Sequence, residues 1–453
     1  MLALALRSLR YRTGGFAASF IAVFLGATLV MAFASMLDTA GGAGVDADSE
    51  ETLFNVATIV GGWGAIIVAF TVASTLTLSV RQRSAEIALL KSVGATPAQL
   101  RRMIVGEAAV VSVAAALAAI LPSLLAGRLL LELLQNSDQV APGVGYAFGG
   151  IAIGMGFGLT FLGATIGALV TARRAARMRA TESLVDASLD GARMSRKRIA
   201  AGCLFLALGV DTAVVTMTVF NGEGIDAMQT AGQASIWVAI GLAILAPGLV
   251  RKVTARLAGV LERGGGASGY LAAQNIRRRT RQMAGMLIPI IAFTAVATGT
   301  LYMQSVENSA APVANASISA VEAENIKTLN LVVVGMIAVF AAIMLVNTLI
   351  AATTDRRSEF AQQRLAGATP AQVVRMVSLE GAVLVATGVL LGSIASVFTV
   401  VPYSVARTGS VVPDVTIAIY LGVVALASML ALASGTGAAR RAIRGPAVEA
   451  VAA

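Results

Sequence analysis

The sequence predicts an all-α integral membrane protein: ten transmembrane helices, arranged as two parallel four-helix repeats joined by a two-helix linker. Composition is the first observation. Of the 453 residues 57% are hydrophobic and 13% charged, with a mean hydropathy of +0.82, against roughly 25% charged residues in soluble globular chains. The second is a series of ten apolar runs, most of them near the 20 or so residues that a helix needs to cross a bilayer. The third is internal similarity, because a stretch of the first half returns in the second.

The apolar runs lie at 15–37, 55–79, 106–131, 147–171, 199–220, 234–250, 283–305, 328–353, 379–403 and 414–437. An even number places both termini on one side. Segments on that side hold 31 of the 34 Lys and Arg residues, leaving Arg128, Lys327 and Arg407 for the other face. Basic residues concentrate in cytoplasmic loops, so a multi-pass protein of the cell membrane with both termini cytoplasmic is expected. This placement accounts for the net charge of +10 without nucleic acid as a partner. The first run follows Arg7, Arg10 and Arg12, but it is too long for a signal-peptide core and reads as a retained helix. Loops on the opposite face are short and acidic. The segment 38–55 carries Asp46, Asp48, Glu50 and Glu51, and the longest, near 306–327, leaves no room for a folded domain.

The repeat is specific. Glu86-Ile-Ala-Leu-Leu-Lys-Ser-Val-Gly-Ala-Thr-Pro-Ala-Gln-Leu-Arg-Arg-Met103 returns as Glu359-Phe-Ala-Gln-Gln-Arg-Leu-Ala-Gly-Ala-Thr-Pro-Ala-Gln-Val-Val-Arg-Met376, at an offset of 273. That offset carries Arg83 onto Arg356, Lys91 onto Arg364, Gly94 onto Gly367 and Glu107 onto Glu380. At an offset of 267, Leu4 to Thr13 matches Leu271 to Thr280, and Arg173 falls on Arg440. Three parts follow: a first four-helix unit at 1–187, a linker with spans five and six at 188–267, and a second unit at 268–453. The linker contributes two spans, so both units enter the membrane in the same direction, with a pseudo-twofold axis along its normal.

Each copy of the segment reads as a short helix, a Gly-Ala-Thr-Pro turn and a second helix that continues into the next span. Gly94 and Gly367 stand where a helix end takes a left-handed residue; Thr96-Pro97 and Thr369-Pro370 fit N-cap and N1 of the following helix. Ile87, Leu90 and Lys91 at helical spacing, beside Glu86 and Arg83, make the first helix amphipathic. A helix of that kind lies on a membrane surface or docks into a partner's groove.

The segments Thr75 to Ala108 and Asn347 to Ala382, each following the second span of its unit, resemble the FtsX-like permease family, membrane subunits of ABC transporters of the macrolide-exporter and lipoprotein-release type. The ten-span form is similar to the bacitracin-resistance permeases, without their large extracellular domain. Gln82 stands where the family usually carries an acid, and Phe-Ala-Gln-Gln replaces the aliphatic stretch in the second copy. The resemblance implies that 86–93 and 359–366 are coupling helices that enter clefts of ATPase subunits, with Arg83, Glu86, Leu90, Lys91 and Gly94 in one copy and Arg356, Glu359, Arg364 and Gly367 in the other. Two such segments in one chain imply two copies of a nucleotide-binding subunit.

No G-x-x-x-x-G-K-[ST] phosphate loop is present, and the run Gly264 to Gly269 lacks the lysine. ATP and Mg therefore belong to the partner, and this chain is expected to bind no cofactor. With no His and one cysteine, Cys203, most metal sites and imidazole or thiol chemistry are excluded, so the chain is not expected to be an enzyme.

Within the membrane, Asp211 in span five is a functional candidate, because an ionisable residue at that depth costs about 2.5–3.5 kcal/mol on insertion scales; helix packing is the alternative. Glu107 and Glu380 are expected to pair structurally, near Arg102 and Arg375. Gly150, Gly154, Gly158, Gly163 and Gly167 in span four suggest close helix packing. Three functions compete: ATP-driven export or extraction of an amphipathic peptide, antibiotic or lipid; mechanotransmission to an outside partner such as a cell-wall hydrolase or sensor, without translocation; and a scaffold or secondary transporter coupled through Asp211.

Overall fold

The structure, a computed structural model, describes residues 13–82, 84–177, 194–222, 224–278, 280–314, 320–354, 356–413 and 416–448. Every regular element among them is helical. In chain order they are α1 (Thr13–Ala40), α2 (Ala47–Asn55), α3 (Gly61–Gln82), α4 (Ser84–Ser92), α5 (Pro97–Asn136), α6 (Gly150–Arg177), α7 (Arg196–Thr218), α8 (Gly224–Gly264), α9 (Gly266–Arg278), α10 (Thr280–Ala314), α11 (Ala320–Thr354), α12 (Arg357–Leu365), α13 (Pro370–Thr408) and α14 (Ile417–Ala442). A π-helical turn, Val56–Val60, joins α2 to α3 without a break.

Nine helices among the described residues are long and apolar enough to cross a membrane. The tenth span expected, at 328–353, falls on α11; its part Ala338–Thr354 meets the same criterion only together with α12, which bends away by 42°. Two expected loops prove largely helical. Asp46 caps α2 by accepting the Ser49 N–H at 3.0 Å, and Asp48 and Glu50 in the first turn complement the helix dipole. The stretch 306–327 is mostly the ends of α10 and α11, which run past the apolar layer.

Packing repeats between the halves. Helix α1 packs on α3, α5 and α6, and α6 also on α3 and α5; likewise α10 packs on α11, α13 and α14, and α14 also on α11 and α13. The starts of α1 and α10, and of α6 and α14, are 267 residues apart, and those of α5 and α13 are 273 apart. Helix α8 lies against α10 and α13, and α7 covers α8. The largest apolar core joins the halves, with Trp63 and Ile67 of α3 meeting Ile236 and Ile240 of α8, Met303 of α10 and Met344 of α11. Polar ties cross the same seam: Trp63 Nε1 donates to the Gln229 carbonyl at 3.2 Å, and Asn347 Nδ2 to that of Ala18 at 2.9 Å.

The glycine stripe of α6 divides. Gly163 and Gly167 face the backbone carbonyls of Ala69 and Ala73 so closely that a side chain would clash, as expected of packing glycines, whereas Gly150, Gly154 and Gly158 face open space. The inward face of α6 runs instead through Ala152, Gly156, Thr160 and Ala164.

The two ends remote from the repeated segments are fastened differently. In the first half the Asp38 carboxylate accepts the N–H groups of Gly149, Ile151 and Ala152 at 2.8–3.1 Å, capping α6 from α1. In the second half Glu307 of α10 accepts Arg407 Nε at 2.8 Å and the Tyr403 hydroxyl at 2.6 Å, both from α13. The positions of the first half that match Glu307, Tyr403 and Arg407 are Ala40, Leu130 and Leu134, which form an apolar core.

Candidate functional site

Both Gly-Ala-Thr-Pro turns adopt the geometry their sequence dictates. Gly94 and Gly367 have φ of +97° and +99°, a left-handed backbone open to glycine at little cost. Their amides and those that follow close the preceding helix: Gly94 N–H donates to Lys91 and Ala95 N–H to Leu90, at 3.0 Å each, with Arg364 and Gln363 as acceptors in the second copy. Thr96 and Thr369 then cap α5 and α13. Each hydroxyl accepts the N–H of the glutamine three residues on, Gln99 or Gln372, whose side chain accepts the threonine N–H in return. The glutamines three residues after each threonine are the sequence signal of this capping box, beyond the Thr-Pro pair.

In the second copy a buried ionic cluster fixes α12. Arg356 sits in the bend between α11 and α12 and points its guanidinium at Glu380 of α13, Nη1 lying 2.5 Å from Oε2 and Nη2 3.2 Å from Oε1; both side chains are 2% exposed. Arg356 Nε donates to Glu359 at 3.2 Å, and its guanidinium carbon stands 5.2 Å from the centre of the Phe360 ring. Asn275 of α9 donates to Glu380 Oε1 at 2.7 Å. One cation thus serves two carboxylates, and a neutral amide supplies the further donor that a buried carboxylate requires. Below the cluster Phe360 packs with Ala272, Val373, Met376 and Ala439, so α9, α12, α13 and α14 share one small core.

Three sequence assignments change. Arg356, expected among the residues that meet an ATPase, is buried and turned toward α13. Glu380 pairs with Arg356, not with Arg375, which is exposed. Arg364 turns to its own chain, its Nη1 donating to the carbonyls of Ile443 and Gly445 at 2.9 and 2.8 Å, just past the end of α14. The donors of an arginine and the unpaired carbonyls of a helix end satisfy each other. Glu359 keeps part of its surface open, its side chain 24% exposed.

The first copy follows the same plan where it is described. Ile87 takes the place of Phe360 and is buried; Glu107, the counterpart of Glu380, is 2% exposed beside Leu100, Ile104 and Ala108. Arg83 lies outside the described residues, and Glu86 falls within α4. Partial burial holds the Lys91 ammonium below the usual lysine pKa. On the open side of this segment stand three apolar side chains, Leu89, Leu90 and Val93, exposed by 66, 38 and 81%. Leu365 at the end of α12 is also exposed. Asp211 lies apart from both segments, on the exposed face of α7 among Leu208, Val210 and Val214.

Long apolar helices, with two matched helix–turn–helix segments at one end of the bundle, define a multi-pass membrane protein with an internal repeat. The family model of the FtsX-like permease C-terminal region matches residues 58–178 and 331–447, more than half of the chain, and the chain belongs to the FtsX-like permease family. Members of this family are membrane components of ABC transporters and work with ATPase partners. No curated protein matches the chain.

Proposed function

We propose that this chain is the permease subunit of an ABC transporter that exports or extracts an amphipathic or apolar compound, a peptide, antibiotic or lipid, driven by two copies of a separate ATPase subunit that hold ATP and Mg. The two units, 1–187 and 268–453, each present one coupling helix on the cytoplasmic side of the cell membrane, and 188–267 joins them. The observation that carries this reading is the Arg356–Glu380 cluster. It ties a helix outside the apolar layer to the first turns of a membrane span, so a push on α12 reaches α13 without slack. The exposed Leu89, Leu90, Val93 and Leu365 are the apolar surface that a partner's cleft would cover. Arg356 and Glu380 act as positioning residues, and contact with the ATPase falls to the exposed face.

The test is co-expression with the ATPase of a neighbouring reading frame and reconstitution in lipid. ATP hydrolysis is expected to rise with amphipathic peptides or antibiotics. If no ATPase co-purifies with the intact chain, the reading fails; if it co-purifies but no compound is moved across or out of the bilayer, translocation gives way to mechanotransmission toward an outside partner.

A further inference from the structure

Two cavities of about 530 and 610 Å³ open at the end of the bundle that carries the repeated segments, one in each half. The first lies between the start of α5 and the end of α6. Arg101, Arg102 and Arg173 stand at its mouth, with Ala109, Phe161 and Leu169 deeper along the two helices. The second lies between α13 and α14, where Arg375 and Arg440 stand beside Val374, Leu379 and Ile443. The grooves are related by the repeat, Arg375 following Arg102 by 273 residues and Arg440 following Arg173 by 267. Among the described residues no acidic side chain lines either groove, and no ion pair joins these exposed arginines to a described carboxylate.

The gradient along the first groove is that of a phospholipid. Helix α5 runs into the apolar layer from Arg101 to Ala109, and α6 runs out of it from Phe161 to Arg173, so the charged ends of both helices meet at one level and the apolar ends at another. Arginine binds phosphate through two parallel N–H donors, and basic pockets between membrane helices hold anionic headgroups. A general excess of basic residues on one side of the membrane would scatter arginines over loops. Here three converge on an apolar groove, and two of them, Arg102 and Arg173, return as Arg375 and Arg440 in the second groove, although other lining residues differ, Arg101 against Val374, Val105 against Ser378 and Gly106 against Leu379. We infer that each groove binds one anionic phospholipid, its phosphate held by Arg101, Arg102 and Arg173 in one half and by Arg375 and Arg440 in the other, with its acyl chains along the apolar residues.

Native mass spectrometry of the full chain in mild detergent tests this, with phosphatidylglycerol, phosphatidylcholine and glycerol 3-phosphate as separate probes. Two phosphatidylglycerol molecules are expected to stay bound where phosphatidylcholine is lost. Arg101→Gln, Arg102→Gln and Arg173→Gln together should remove one, and adding Arg375→Gln and Arg440→Gln the other, at about fivefold in affinity per arginine. The Arg→Lys variants should retain both lipids, which separates lost charge from a misfolded chain. Equal retention of phosphatidylcholine, or two lipids persisting on the five-fold Gln variant, overturns the inference. Glycerol 3-phosphate binding as tightly as the lipid does so too, since it would make the grooves sites for soluble anions.

Discussion

The Arg356 guanidinium holds the Glu380 carboxylate through two hydrogen bonds, across a bend of the chain and out of contact with solvent. A buried pair of this kind adds little net stability over an apolar packing, but losing one partner strands a charge. Its consequence is therefore geometric: a planar fork adds a directional constraint to the apolar contact that Phe360 makes between α12 and α13.

Glu380→Ala should lower stability by about 3–5 kcal/mol, read as a fall in melting temperature in detergent. Arg356→Met combined with Glu380→Leu should recover most of that loss, while uncoupling ATP hydrolysis from transport. A double variant as unstable as the single one would show that the cluster is held by something other than the pair.

The turn can be probed separately. Thr369→Ala removes one half of the capping box and should cost about 1 kcal/mol, and Gly367→Ala about the same, through its left-handed backbone. Hydrogen exchange over 366–373 is the measurement, and Thr96→Ala should act equally on the first copy.

These turns were legible in the sequence because their chemistry is local, a Gly, a Thr and a Pro acting over a few residues. The ionic cluster was not. Glu380 and Arg375 are close in sequence, but five residues place them about 140° apart around a helix, so Arg375 looks outward. The true partners come from 24 and 105 residues away, and only the bend at Arg356 and the docking of α9 bring them in. Hydropathy likewise marks the apolar layer but not the helical extensions beyond it, α2, which is polar and capped by Asp46, and the end of α10, where Glu307 is tied to α13. The glycine stripe is half legible for a related reason: Gly163 and Gly167 do pack on α3, but the row Gly150, Gly154, Gly158 lies on an open face, and α1 takes the row through Gly156 instead.

On the remote end, Asp38→Ala should destabilise by about 2 kcal/mol, because three amides at the start of α6 lose a charged acceptor. Asp48→Ala, an exposed control, should stay within about 0.5 kcal/mol of the parent in the same thermal assay.

Hydrogen bonds from Ser49 hold the Asp46 carboxyl below the usual aspartate pKa. Its contribution to the start of α2 is present above the unfolded value, about 3.9, and is lost as pH falls through the lower folded value. Protection of the Ser49 and Glu50 amides, measured against the intrinsic exchange rate at each pH, should fall in that acidic window, and Asp46→Ala should show low protection at every pH.

Two ATPase docking segments on one chain set the mass of the complex purified with its ATPase. Native mass spectrometry should show two ATPase subunits on the intact chain. One should remain after Leu89→Arg and Leu90→Arg in α4, or after Leu365→Arg in α12, and none after all three. Two subunits still bound when both segments are disrupted, or a single subunit on the intact chain, would rule out docking through these two segments.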